Sequence, residues 1–101
     1  HARELLPDRN TLATVWRYLA SVPGGIVEES PMCLCRKVVR WSNAPLSLGK
    51  LLVCLDIFAD VGLLNVDHLN KYLSIRLTPG PGKADLTCSR TMQRLLQMKE
   101  S

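Results

Sequence analysis

Apolar residues recur along this chain with two different periods, and the change from one to the other sketches a fold. In residues 7–25, "PDRNTLATVWRYLASVPGG", Leu12, Val15, Trp16, Leu19 and Val22 fall on one face of a 3.6-residue repeat, which predicts a helix. Pro7 and Asp8 suit its start, and the Pro-Gly-Gly run at 23–25 should end it. "GIVEES", residues 25–30, is short and β-like. A second helix is expected in "SPMCLCRKVVRWSN", residues 30–43, with Ser30 as N-cap and Pro31 as first helical residue. Its apolar stripe is Leu34, Val38 and Trp41, so Trp41 is expected in the core with Arg36, Lys37 and Arg40 mainly on a solvated back. "NAPL" breaks this helix. Ser47 then caps a third, which should bury Leu48, Leu51, Leu52, Leu55 and Phe58, with Gly62 as the left-handed residue past its end.

Beyond Gly62 the period falls to two. Leu73, Ile75 and Leu77 alternate with Tyr72, Ser74 and Arg76, the pattern of a half-buried strand. "DHLNK", residues 67–71, lies between two β-like pieces and is expected to be the turn of a hairpin. "PGPGK" is a loop, and residues 85–99 are expected to form a last helix with Leu86, Met92, Leu95 and Leu96 turned inward. Exposing that much apolar surface would be unfavourable at roughly 25 cal/mol per Å². The expected order is helix, short strand, helix, helix, strand, strand, helix. This is the order of a winged-helix domain, α+β, with a three-helix core, a β-hairpin wing and an added C-terminal helix. Residues 7–101 form one domain in this reading, and residues 1–6 are a lead-in from a preceding domain. The chain opens on His1 rather than Met and is read as part of a longer protein.

Composition narrows the class. The 101 residues are 47% hydrophobic, enough for one core and against disorder. No apolar run approaches the roughly 18 residues of a membrane span. Thirteen Lys and Arg against nine Asp and Glu leave +4, which permits a phosphate-bearing partner without requiring one. The four cysteines, Cys33, Cys35, Cys54 and Cys88, lack C-x2-C spacing and are expected to be reduced thiols packed as small hydrophobes in a cytosolic protein.

Catalytic chemistry finds little support. Neither a G-x-S-x-G nor a phosphate-binding loop occurs. Asp67-His68 is the one Asp-His pair, and one carboxylate with one imidazole cannot clamp two metals. It is expected to be a solvated turn.

Three stretches carry a family likeness. "LPDRNTLATVWRYL" has Asp8-Arg9 ahead of a helix holding Trp16 and Tyr18. "LLVCLDIFADVGLL" runs into Gly-Leu-Leu before the wing. "LSIRLTPGPGKADLTCSRTMQRL" supplies the last strand, a loop, the Lys83-Ala84-Asp85-Leu86 step and Ser89. Together they resemble the C-terminal accessory domain of the bacterial RecJ-type exonucleases of Firmicutes, enzymes specific for single-stranded DNA. The resemblance implies a bacterial cytoplasmic protein and a non-catalytic domain. It places 5′-to-3′ hydrolysis, and the manganese or magnesium ions it uses, in a separate domain. It also implies a role in repair or recombination.

Binding is therefore the expected class of function. The candidate contacts are Arg36, Lys37 and Arg40 beside Trp41 on the second helix, Lys50 at the start of the third, and Lys71 and Arg76 in the wing. Lys83, and Arg90 and Arg94 on one face of the last helix, complete the set. Arginine with an aromatic suits single strands, where stacking and phosphate contact need no sequence. Lys50 alone makes the third helix a poor reader of duplex bases. The expected partners are single-stranded DNA, the N-terminal catalytic core of the same protein, or another repair or replication protein, with no membrane. Two alternatives stay open: a winged helix that docks only proteins, and a winged-helix transcription regulator.

Overall fold

The computed structural model describes residues 7–78 and 89–100. Among them are four α-helices and one three-stranded antiparallel sheet, an α+β arrangement. The expected lead-in at 1–6, the "PGPGK" loop with Lys83, Leu86, Cys88 and the side chain of Leu95 lie outside the described residues.

Local chemistry sets the ends of the first three helices. α1 spans Arg9–Ser21, and the Asp8 carboxylate accepts the Thr11 N–H at 2.7 Å, satisfying an otherwise orphaned donor. A 3-10 turn, Pro23–Gly25, follows it, with Gly24 and Gly25 at positive φ. α2 spans Pro31–Ser42, with Ser30 accepting from the Cys33 N–H and left-handed Asn43 ending it. α3 spans Leu48–Asp60, capped by Ser47 through the Lys50 N–H. Past its end, Leu63 N–H donates to Phe58 and Gly62 N–H to Ala59, the paired bonds of a Schellman motif that needs Gly62 at φ +79°.

The strands are β1 (Ile26–Glu29), β2 (Leu64–His68) and β3 (Leu73–Leu77), in the order β1-β3-β2. Val27, Ile75 and Val66 stand in one cross-strand row on the inner face. Such a row of β-branched side chains holds the register, because a one-residue slip would turn it outward. The helices cover this face. Leu12, Val15 and Leu19 of α1, Leu34 and Val38 of α2, and Leu51, Cys54, Leu55, Ile57 and Phe58 of α3 join Val27, Leu64, Leu73 and Ile75 in one buried core. Leu48, Leu52, Trp16, Val22 and Leu77 are half-buried at its edge.

Five expectations need correction. Cys33 is not packed but exposed, because it lies on the side of α2 turned away from Leu34 and Val38. Trp41 is not in the core. It is 50% exposed: it sits in the last turn of α2, where its ring makes a T-shaped contact with Tyr18 of α1. The hairpin turn comes later than expected. Asp67 and His68 belong to β2, and Leu69 N–H closes the loop onto the Tyr72 carbonyl at 3.0 Å. The last helix, α4, spans Arg90–Glu100 and does not begin at 85, since Ser89 lies outside it as its cap. Met92 packs against the core as expected, but Leu96 is 38% exposed. α4 is anchored by its first turn, and Leu96 lies a full turn farther along.

That anchor answers what holds the C-terminal segment. Ser89 is fully buried; its hydroxyl donates to Asp60 Oδ2 at 2.7 Å and accepts the Met92 N–H at 3.2 Å. The same Asp60 oxygen accepts the Thr91 N–H at 3.0 Å. A carboxylate at the end of α3 thus serves the first turn of α4, where negative charge also meets the positive end of the helix dipole. Burial alone would raise the Asp60 carboxyl, but the Thr91 and Ser89 hydrogen bonds and the Arg90 charge bring it below its ordinary value.

Candidate functional site

The outer face of α2 gathers the chemistry. Met32, Cys33, Arg36, Lys37, Arg40 and Trp41 are exposed along it, while Leu34 and Val38 point into the core. The spacing explains most of this split: 34 and 38 share one side of the helix, 33, 36, 37 and 40 share the other, and Trp41, seven residues past Leu34, lies at the edge of the apolar stripe next to Lys37.

On one flank, Arg36 and Arg40 stand one turn apart over an open groove of about 550 Å³. Cys35, Val39 and Leu46 form its apolar wall, and Asn43 closes its end. The Cys35 thiol is engaged with the Leu46 carbonyl at 3.3 Å, and burial raises it above its ordinary value, so it is a wall and not a nucleophile.

On the other flank stands a cluster of four side chains. The rings of Tyr18 and Trp41 meet edge-on, with centroids 5.8 Å apart and planes at 74°. This geometry satisfies the ring quadrupoles, and half of the Trp41 surface stays exposed to solvent. Lys37 is ion-paired with Glu29 Oε1. Glu29 is there because strand alternation puts it on the same inner face as Val27, at the strand end from which α2 departs. Its side chain is 20% exposed, and Oε2 is buried with no hydrogen-bond partner among the described residues. The hydrogen bond and charge of Glu29 hold the Lys37 ammonium above its usual range. Burial first, and then the Glu29 charge, raise the Tyr18 phenol.

The remaining sequence candidates are dispersed. Lys50 is half-buried at the start of α3, close enough to Asp8 for its charge to lower that carboxyl, after the larger effect of the Thr11 hydrogen bonds. Lys71 is exposed at the hairpin tip. Arg76 is exposed on the outer sheet face, opposite Ile26 and Asn65. Arg90 and Arg94 are exposed on α4, with Arg90 beside the Asp60 anchor. The fold therefore joins Arg36, Lys37 and Arg40 into one patch with Trp41 and distributes the other five basic residues over separate surfaces.

Two further features bear on chemistry. Asp67 and His68 are neighbours in a strand, so their side chains leave opposite faces and do not converge. Among the described residues no group of three His, Cys, Asp or Glu side chains is placed to hold a metal ion. Cys54 is a buried free thiol, pushed up to about 12 mainly by burial, with the Asp8 charge adding to it. Among the described residues no helix is long and apolar enough to cross a membrane.

Sequence reasoning identified the basic residues but missed Tyr18 and Glu29 as their partners. Glu29 left a readable signal, a carboxylate two residues past an inward Val27 at the end of a short strand. The Tyr18–Trp41 contact left none, because it joins two helices through their crossing geometry. Compared with protein-family models, curated proteins and solved structures, the chain matches none.

Proposed function

We propose that this chain is a winged-helix accessory domain that holds single-stranded DNA against the outer face of α2. In this reading it serves a RecJ-type exonuclease of bacterial cytoplasm, and metal-dependent hydrolysis belongs to a separate catalytic domain. The observation that carries the proposal is the half-exposed Trp41 on the same helix as the Arg36–Arg40 groove, across the α2 face from it. A base can stack on an exposed indole whatever its identity, and two guanidiniums one turn apart can contact phosphates of the same strand. Tryptophan at 50% exposure forgoes burial that its size would otherwise favour, which gives it weight as a contact residue. The element order, and a first strand lying beside the last, support the winged-helix assignment. Duplex readout has less support, because the first turn of α3 offers Lys50 alone and its charge faces Asp8.

The test is fluorescence anisotropy with a labelled single-stranded oligonucleotide and the matching duplex, each at low and high salt. Preference for the single strand is expected, with affinity that falls with salt, quenching of Trp41 emission, and weaker binding by Arg36→Ala/Arg40→Ala. Equal binding by that variant, or no binding by the native domain at low salt, would sink the proposal.

A second reading rests on a different surface. Leu69 and Tyr72 at the hairpin tip and Met32 at the start of α2 are all exposed. The pairing of Glu29 and His68 with Leu73 brings the tip to the same end of the sheet as the β1–α2 junction. Three large apolar side chains at one end suit docking on a protein, such as the exonuclease's own catalytic core. Salt-insensitive association with that core, lost in Leu69→Ser/Tyr72→Ser and retained in Trp41→Ala, would select this reading.

A further inference from the structure

Lys37 occupies the centre of the α2 face, between the arginine groove and Trp41, yet its ammonium is committed to Glu29. The commitment is unequal. Lys37 is 56% exposed and could be solvated by water, whereas Glu29 is 20% exposed, with one oxygen buried and without a hydrogen-bond partner among the described residues. The carboxylate needs the ammonium more than the ammonium needs the carboxylate, because Lys37 is the neutralising partner the structure gives it. An incoming phosphate would have to take Lys37 from Glu29 and leave a half-buried anion behind. Two anions then compete for one cation, and the internal one is already in place.

We propose that Glu29 is a built-in competitor for phosphate, which keeps Lys37 off the strand and limits the grip of α2 to Arg36 and Arg40. The proposal rests on the single-strand reading of this face and adds its regulation. Every phosphate contact adds affinity and salt dependence together, so withholding one keeps the hold weak. A weak hold suits a domain along which a strand must pass.

The number of phosphate contacts is measured by the slope of log affinity against log salt, which changes by about 0.7 for each contact to a single strand. The experiment compares the native protein with Glu29→Gln, Lys37→Met and the double variant Glu29→Gln/Lys37→Met, on an oligothymidylate probe, with a circular-dichroism melt of each. Glu29→Gln should bind more tightly, with a slope steeper by about 0.7. Between about 50 and 200 mM salt it should therefore lose roughly 2.5-fold more affinity than the native protein. The double variant should return to the native slope. That variant also guards against misfolding, since Lys37→Met alone leaves Glu29 unpaired and can destabilise the domain.

An unchanged slope in folded Glu29→Gln would overturn the proposal. So would a steeper slope that persists in the double variant, because removal of any nearby negative charge would then explain it. In both cases a loss of binding in Arg36→Ala/Arg40→Ala would leave the single-strand reading standing. Native protein that binds no oligonucleotide at low salt would sink the reading and the competitor together.

Discussion

The two tryptophans occupy equivalent positions in the sequence pattern and opposite ones in the molecule. Trp16 is half-buried against Phe58, with ring centroids 5.4 Å apart and planes tilted by 60°. Trp41 is half-exposed and meets only Tyr18, in a T-shaped contact, among described aromatic rings. Both lie on the apolar stripe of an amphipathic helix. The difference lies in what faces them: α3 brings Phe58 to Trp16, while Trp41 meets Tyr18 of α1 and stays half-exposed. One region is therefore a packed interior and the other a surface with a large aromatic left open. Position on a stripe sets the direction of a side chain, and the neighbouring element decides whether anything is there to cover it.

The contrast can be broken most directly at Phe58. Phe58→Ala removes a buried α3 ring that packs on Trp16 of α1 and should cost about 3–5 kcal/mol, a large share of a small domain's stability. Urea unfolding followed by circular dichroism measures it. Trp41→Ala should behave oppositely, with stability changed by less than about 1 kcal/mol. Its affinity for single-stranded DNA should fall by about 1–3 kcal/mol, or roughly five- to 150-fold, in the anisotropy titration. A large loss of stability at Trp41 would erase the distinction between the two regions.

Asp60→Ala tests a third region intermediate between them. It strands the buried Ser89 hydroxyl and frees the Thr91 N–H, at a cost of about 1 kcal/mol. The loss should be local, so α4 amides should exchange faster while those of α3 keep their protection. Acid should do the same to the native chain. The folded state lowers the Asp60 carboxyl, so its contribution is present above the ordinary value near 3.8 and is lost as pH falls through the lower folded value.

The smallest effect is expected at Asp56, where the sign reverses. Burial first, and then the Asp60 charge, raise this carboxyl, with His68 acting against them. Its ionised form is thus less favourable in the folded chain. Asp56→Asn should stabilise the domain at pH 7 by about 0.5 kcal/mol or less after solvent screening. The gain should disappear as pH falls through the raised value toward 3.8. A gain that stays constant with pH would show that the charge of Asp56 is not its cause.

Much of the fold was legible in the chain because its signals are local. Ser30-Pro31, Ser47 and Gly62 mark helix ends through bonds made within a few residues, and Leu73 and Ile75 show the inward face of a strand by alternation alone. The site was legible only in part. The run Arg36, Lys37, Arg40 and Trp41 can be seen on one helix, but its meaning depends on residues that arrive from elsewhere. Tyr18 comes from α1 and Glu29 from β1, and together they set which aromatic is exposed and which cation is occupied. The Asp60 anchor of α4 is likewise a contact across 29 residues to Ser89. The sequence by itself determined the elements, their order and the polarity of their faces, since caps and periodicity act over one or two turns. Only the tertiary structure decided that Trp41 stays open, that Lys37 is held by Glu29 and that α4 begins at Arg90, because each depends on groups that meet through packing rather than along the chain.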